Sequence, residues 1–157
     1  MQNEWFECKV RYEKTLENGL IKKVTEPYLV EALSFTEAEK RFIEEIEPFM
    51  SGEFQVTDIK RAKYVELFET EEESADRWFK AKVAFIKLDE KSGMEKKTSH
   101  NMLVQASDLR DAVRRLDKGM EGNMADYEIA SMADTPIMDV FHYESRNSGH
   151  PEFQEAE

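Results

Sequence analysis

Cysteine is almost missing from this chain. Cys8 is the only one in 157 residues, which excludes an internal disulfide framework and any multi-cysteine zinc site. Long apolar runs are missing too. No stretch approaches the roughly 20 apolar residues that span a bilayer, and Met1-Gln2-Asn3-Glu4 lacks the charged-then-apolar order of a signal peptide, so a cytoplasmic protein without a membrane partner is expected. Positive charge is scarce: 22 Lys and Arg against 34 Asp and Glu leave a net charge of -12. That balance disfavours nucleic acid and anionic membranes as partners, because binders of phosphate usually carry a basic footprint. Only three histidines occur, His100, His142 and His150, with no pair at metal-ligand spacing, so neither a metal nor another cofactor is expected.

Apolar and aromatic residues, by contrast, are plentiful. Hydrophobic content of 40%, with 10 Phe, 5 Tyr and 2 Trp, is enough for a packed core despite 36% charged residues, which makes the chain globular. Trp5-Phe6-Glu7-Cys8-Lys9-Val10-Arg11-Tyr12 is echoed by Trp78-Phe79-Lys80-Ala81-Lys82-Val83-Ala84-Phe85. Trp5 to Thr15 set against Trp78 to Leu88 gives five identities in eleven positions, and Gly19 to Ile43 against Gly93 to Asp117 gives eight in twenty-five. Both exceed the roughly one in seventeen expected from average composition. The spacing between copies changes only at the hairpin turn and after the helix, where loops tolerate insertions.

The first copy reads in order as strand, turn, strand, helix, strand. Phe6, Cys8, Val10 and Tyr12 alternate with Glu7, Lys9, Arg11 and Glu13, the period of a half-buried strand, and Asn18-Gly19 marks a hairpin. Pro27 removes a ladder donor from the second strand, which predicts an edge or a bulge there. Ser34-Phe35-Thr36-Glu37 is a capping box, and Phe35, Ala38, Phe42, Ile46 and Phe49 form the apolar stripe of a helix that Pro48 and Gly52 end. Phe54 to Phe68 reads as one extended segment whose alternation changes parity near Asp58-Ile59, the signal of a bulge or of a strand bent across two neighbours. Residues 69–76 form an acidic connector too polar to pack. The second copy repeats the order, with a turn at Lys91-Ser92-Gly93, Asp108 capping a helix that buries Leu109, Ala112, Val113, Leu116 and Met120, and a last extended segment that pauses at Thr135-Pro136. The tail, 144–157, is expected to be disordered.

The predicted fold class is α+β: two tandem ββαβ repeats, about 5–68 and 77–143, merged into one mostly antiparallel sheet with both helices on one face and a pseudo-twofold axis. Units of about 70 residues struggle to bury a core alone, so a single duplicated domain over 1–143 is expected. The blocks Trp5 to Glu13, Val24 to Val30, Asp58 to Ala62, Asn101 to Ala106 and Ala125 to Ile129 resemble an uncharacterised family, known as a domain of unknown function of anaerobic gut bacteria and their phages and mobile elements. The resemblance covers about Glu4 to Tyr143. It implies a bacterial or phage origin and carries no catalytic residue with it.

No constellation specifies a reaction, and the expected protein is not an enzyme. Cys8 sits at an inward strand position without a base beside it, and the acids Glu71 to Glu73, Asp108 and Asp111 lack the spacing of a calcium loop. What remains is the sheet face away from the helices, which the alternation assigns to Trp5, Lys9 and Arg11 and, in the second copy, Trp78, Lys80, Lys82 and Ile86. As a partly apolar face it is read as a surface for self-association, giving a homo-oligomer, or for a protein partner. The alternative is a platform for single-stranded nucleic acid or a nucleotide, with bases stacked on Trp and phosphates tracked by Lys.

Overall fold

The computed structural model describes residues 3–143, and the expected tail lies outside them. The chain divides into two compact units, one formed by Met1–Lys63 with Ile137–Glu157 and the other by Tyr64–Pro136. Among the described residues each carries one long α-helix packed on one four-stranded sheet. The architecture is therefore α+β, and the single merged sheet expected from the repeat is replaced by two. Each unit buries its own stripe of apolar residues under its own helix.

In unit 1 the strands run β3 (Phe54–Ala62), β1 (Glu4–Thr15), β2 (Ile21–Ala32), β8 (Val140–Phe141) across the sheet. β1 (Glu4–Thr15) and β2 (Ile21–Ala32) pair antiparallel from Glu4↔Ala32 to Thr15↔Ile21, closed by the expected Asn-Gly turn in which Gly19 has φ +87°. β3 (Phe54–Ala62) flanks β1 on its other side, and the parity change seen in the sequence is a bulge opposite Lys9/Val10. Pro27 is tolerated because the backbone groups at its position face away from β1. Its carbonyl accepts from the Met138 N–H at 2.9 Å, so the missing N–H falls on the outer side of β2, where β8 (Val140–Phe141) pairs in parallel only at Leu29 and Val30.

Helix α1 (Phe35–Ile46) starts at the capping box. Ser34 Oγ accepts the Glu37 N–H at 3.1 Å and the Glu37 carboxylate accepts the Leu33 N–H at 2.6 Å. Its Ala38, Phe42 and Ile46 lie on Phe6, Cys8, Val10, Val30 and Ala32, all buried. Phe49 does not join them. The chain leaves the helix through a tight 3-10 turn at Glu47–Phe49, breaking the helical phase, and Phe49 is 79% exposed. Phe35, expected on the same stripe, lies at the exposed margin, edge-on to Phe6 and under the Arg61 guanidinium.

Unit 2 has the order β4 (Glu66–Phe68), β6 (Glu95–Ala106), β5 (Arg77–Leu88), β7 (Asp126–Asp134). β5 (Arg77–Leu88) pairs with β6 (Glu95–Ala106) and with β7 (Asp126–Asp134), and a bulge again interrupts the second pairing, at Lys82/Val83. Helix α2 (Leu109–Gly119) is capped by Asp108, whose Oδ1 accepts the Asp111 N–H at 2.8 Å. Ala112, Leu116 and Met120 cover Phe79, Ala81, Val83, Met102, Val104 and Ala106. Leu109, expected on that stripe, is exposed, because it stands in the first turn beyond the edge of the contact.

Two expectations about segment boundaries are corrected here. Phe54 to Phe68 is not one strand: β3 ends at Ala62, and β4 (Glu66–Phe68) belongs to the second sheet, parallel to β6 through Glu66↔Met102, Leu67↔Leu103 and Phe68↔Val104. The acidic connector also packs. Thr70 donates its N–H to the Gln105 side chain at 2.9 Å, Glu72 pairs with Arg115 at 2.7 Å, and Ala75 is buried.

Phe42 is fully buried at the centre of the first core. Phe42→Ala is expected to lower stability by about 3 to 5 kcal/mol, measured by denaturant unfolding.

Candidate functional site

The residues singled out on the helix-free faces fall into two groups within each unit. In unit 1, Trp5, Lys9 and Arg11 stand in a row along β1, opposite Glu31, Pro27 and Thr25 of β2. Trp5 is half-buried and its ring meets the His142 ring edge-on, with centroids 5.1 Å apart. Arg11 is exposed and lines an open groove of about 820 Å³ together with Ile21 and Phe49. Lys9 has Asp58 across from it on β3, whereas Arg11 faces the neutral Thr25 and Gln55.

In unit 2, Trp78 is only 3% exposed, so this indole is not a surface platform. Its carbonyl is held by Thr135, which donates from N–H at 3.0 Å and from Oγ1 at 2.8 Å. Beyond it on β5 the face opens: Lys80 lies between Leu103 and Ala133, Lys82 between Asn101 and Ser131, and both are exposed. Ala84 is buried where the Lys97–Glu128 ion pair, 3.0 Å long, reaches across β5 from one flanking strand to the other. Ile86 is half-buried beside it. Leu29 and Leu103 share these faces and are fully buried, so each face has a covered portion and a solvated one.

Lys9, Arg11, Lys80 and Lys82 make no ion pair among the described residues, in a chain of net charge -12.

The groups with displaced pKa values serve structure. Burial pushes the Cys8 thiol up to about 12, helped by the nearby Glu7, Asp58 and Glu39 carboxylates, which leaves almost no thiolate at neutral pH. Burial, then the 2.9 Å hydrogen bond to Glu26, pushes the Tyr12 phenol up to about 12. The Arg115 guanidinium holds the Asp111 carboxyl well below the usual carboxylate range, aided by the Ser107 N–H and by Arg114. Asp108 and Asp111, weighed as cation ligands, are therefore committed to capping and to arginine. Among the described residues, no three His, Cys, Asp or Glu side chains converge as a metal site, and no helix is long and apolar enough to cross a membrane.

Sequence reading passed over one pair of residues, Arg41 and Arg115. Arg41 is 5% exposed, donates to the Glu31 carbonyl and, at 3.1 Å, to the His142 carbonyl, and lies over the Tyr143 ring. Arg115 binds Asp111 and, at 2.7 Å, Glu72. Each arginine thus holds the segment that follows the edge strand of its own sheet. The signal was available, because Arg41 and Arg115 are one of the eight identities between the copies.

Cys8 is expected to resist a chromogenic disulfide reagent at pH 8 in the native protein and to react fully once unfolded, followed by absorbance. Asp111→Asn should destabilise by about 1 to 2 kcal/mol at pH 7. Because the folded pKa is depressed, that contribution is present above about pH 4 and is lost as pH falls through the folded value, so thermal melts of the two proteins should converge in acid.

Among curated proteins, none matches this sequence. The profile of a domain of unknown function, DUF4494, matches residues 4–143, and the chain belongs to that family.

Proposed function

We propose that the chain is a non-enzymatic interaction protein that uses the solvated part of its helix-free faces to bind a second copy of itself or a protein partner. The observation that carries this reading is that the face cations Lys9, Arg11, Lys80 and Lys82 make no ion pair among the described residues and lie beside partly exposed apolar groups in an acidic protein. Cations left without carboxylates are complementary to an acidic protein surface, and the chain itself, at net charge -12, offers such a surface to a second copy. With Trp78 buried, the stacking platform of the single-strand alternative loses one of its two indoles. The resemblance noted from the sequence points to the cytoplasm of anaerobic gut bacteria, or to their phages and mobile elements.

Within the same reading, the chain is a tandem duplication of a ββαβ unit with pseudo-twofold symmetry. Several placements support it. The bulges at Lys9/Val10 and Lys82/Val83 fall 73 residues apart. Arg61–Glu4 and Arg77–Asp134 are ion pairs at matching ends of the first and third strands, with the charges exchanged, and the arginine of each reaches the matching ring, Phe6 or Phe79. Tyr143 donates its N–H to Glu31 as Thr70 does to Gln105. Met138 donates to the Pro27 carbonyl as Val65 does to that of Asn101.

Ile86→Glu tests the interaction face, since a charge there must be desolvated at any contact. The wild type is expected to sediment as an assembly, the variant as a monomer, and neither to bind oligonucleotides at moderate salt. Tight oligonucleotide binding by a monomer, with a log-log salt slope of about -0.7 per phosphate that flattens in Lys80→Ala and Lys82→Ala, would establish the alternative instead.

A further inference from the structure

The two units fill the space beside their edge strands differently. In unit 1, Phe141 of β8 pairs with Val30, and Tyr28, two residues earlier on β2, stacks on the Phe141 ring with centroids 5.7 Å apart and planes 9° apart. Tyr28 also leans on Phe42 of α1, at 5.5 Å. Three aromatic rings close that corner. In unit 2, Phe68 of β4 pairs with Val104 in the same way, yet the residue two before Val104 is Met102, and the helix residue eight after the cap is Leu116 where unit 1 has Phe42. Two of the three rings are gone. An open pocket of about 410 Å³ lies there, walled by Phe68, Phe85, Met102 and Met120 with His100 and Asn123 at its polar side.

We propose that this pocket of unit 2 binds a small, uncharged planar aromatic molecule, whose ring stacks on Phe68 as the Tyr28 ring stacks on Phe141 in unit 1. The proposal goes beyond the interaction reading and does not depend on it. Phe68 is fixed for this task by Gly119: a Cβ at that position would lie 2.5 Å from the Phe68 ring, so only glycine lets the ring lie against the end of α2. The thioethers of Met102 and Met120 adapt to the outline of a ring and favour contact with it. His100 packs against the Phe85 ring at 5.8 Å and, with Asn123 and Glu66, forms the polar part of the lining, where its imidazole nitrogens can meet a ring hydroxyl or ring N–H. The size suits one or two fused rings. Glu66 in the lining and the net charge of -12 disfavour an aromatic carboxylate.

The test uses the full chain carrying 13C-methyl methionine, titrated with p-cresol, which is the tyrosine side chain itself, with indole, and with benzoate. p-Cresol and indole are expected to shift the Met102 and Met120 methyl resonances saturably while Met50, Met94 and Met138 stay in place, and benzoate is expected to have no effect. Met102→Tyr supplies from the chain the ring that unit 1 already has, and should abolish the saturable shift at Met120 while the melting temperature is kept or raised. Phe68→Leu removes the stacking surface and should weaken binding by roughly tenfold. Absence of a saturable shift at Met102 and Met120, equal shifts at all the methionines, or wild-type affinity in either variant would overturn the proposal. Should Met102→Tyr fail to fold, the affinity of Phe68→Leu alone decides.

Discussion

The guanidinium of Arg41 is the constraint on which the closure of unit 1 depends. A cation that is almost wholly removed from water must find partners for its donors or its burial costs several kcal/mol. It finds them in the Glu31 carbonyl of β2, the His142 carbonyl beyond β8 and the Tyr143 ring, with Glu45 at 3.9 Å on its own helix. The two-residue strand β8 has too little ladder to hold itself. Arginine and the Tyr143 N–H bond to Glu31 pin the backbone that follows it. In unit 2, Arg115 is more exposed and takes carboxylates, Asp111 and Glu72, in place of carbonyls, so the same position on the helix grips a side chain instead of the main chain.

That difference follows from the chemistry of the segments being held. The residues after β4 are acidic and solvated, and an ion pair anchors them at modest cost. Those after β8 include His142 and Tyr143, whose rings offer a face to a cation and an edge to Trp5. Trp5 and His142 therefore belong to the fastening of unit 1 as much as to its surface.

How far the sequence could be read depended on the range of each signal. Alternation in β1 and β5, the Asn-Gly turn, both helix caps and the bulge near Asp58 are local, and all were legible. The destinations of β4 and β8 were not. Two or three residues in parallel pairing carry no period, and nothing in Glu66-Leu67-Phe68 says that its partner is Met102-Leu103-Val104 rather than a continuation of β3. The same limit applied to the candidate site. Parity placed Trp78, Lys80 and Lys82 on one face, but it could not distinguish the buried indole from the exposed amines two and four residues on. Phe49 was misplaced for a different reason: Pro48 permits a first-turn conformation as readily as it ends a helix, and here it starts the tight turn that throws the next ring outward.

Chain order leaves one strand edge of unit 1 open during synthesis. Unit 2 is continuous, and β4 is made before the strand it will flank. Unit 1 is split, and the outer edge of β2 has no partner until residues 64–136 have been translated, an interval of roughly 4 to 15 seconds at ordinary elongation rates. An open strand edge is a template for pairing with other nascent chains. At Pro27 that edge offers no N–H, whereas Asn101, the matching residue on β6, keeps its own and has never had to wait. In the finished sheet the proline takes no bond from the β1 ladder, because its backbone groups face away from that strand.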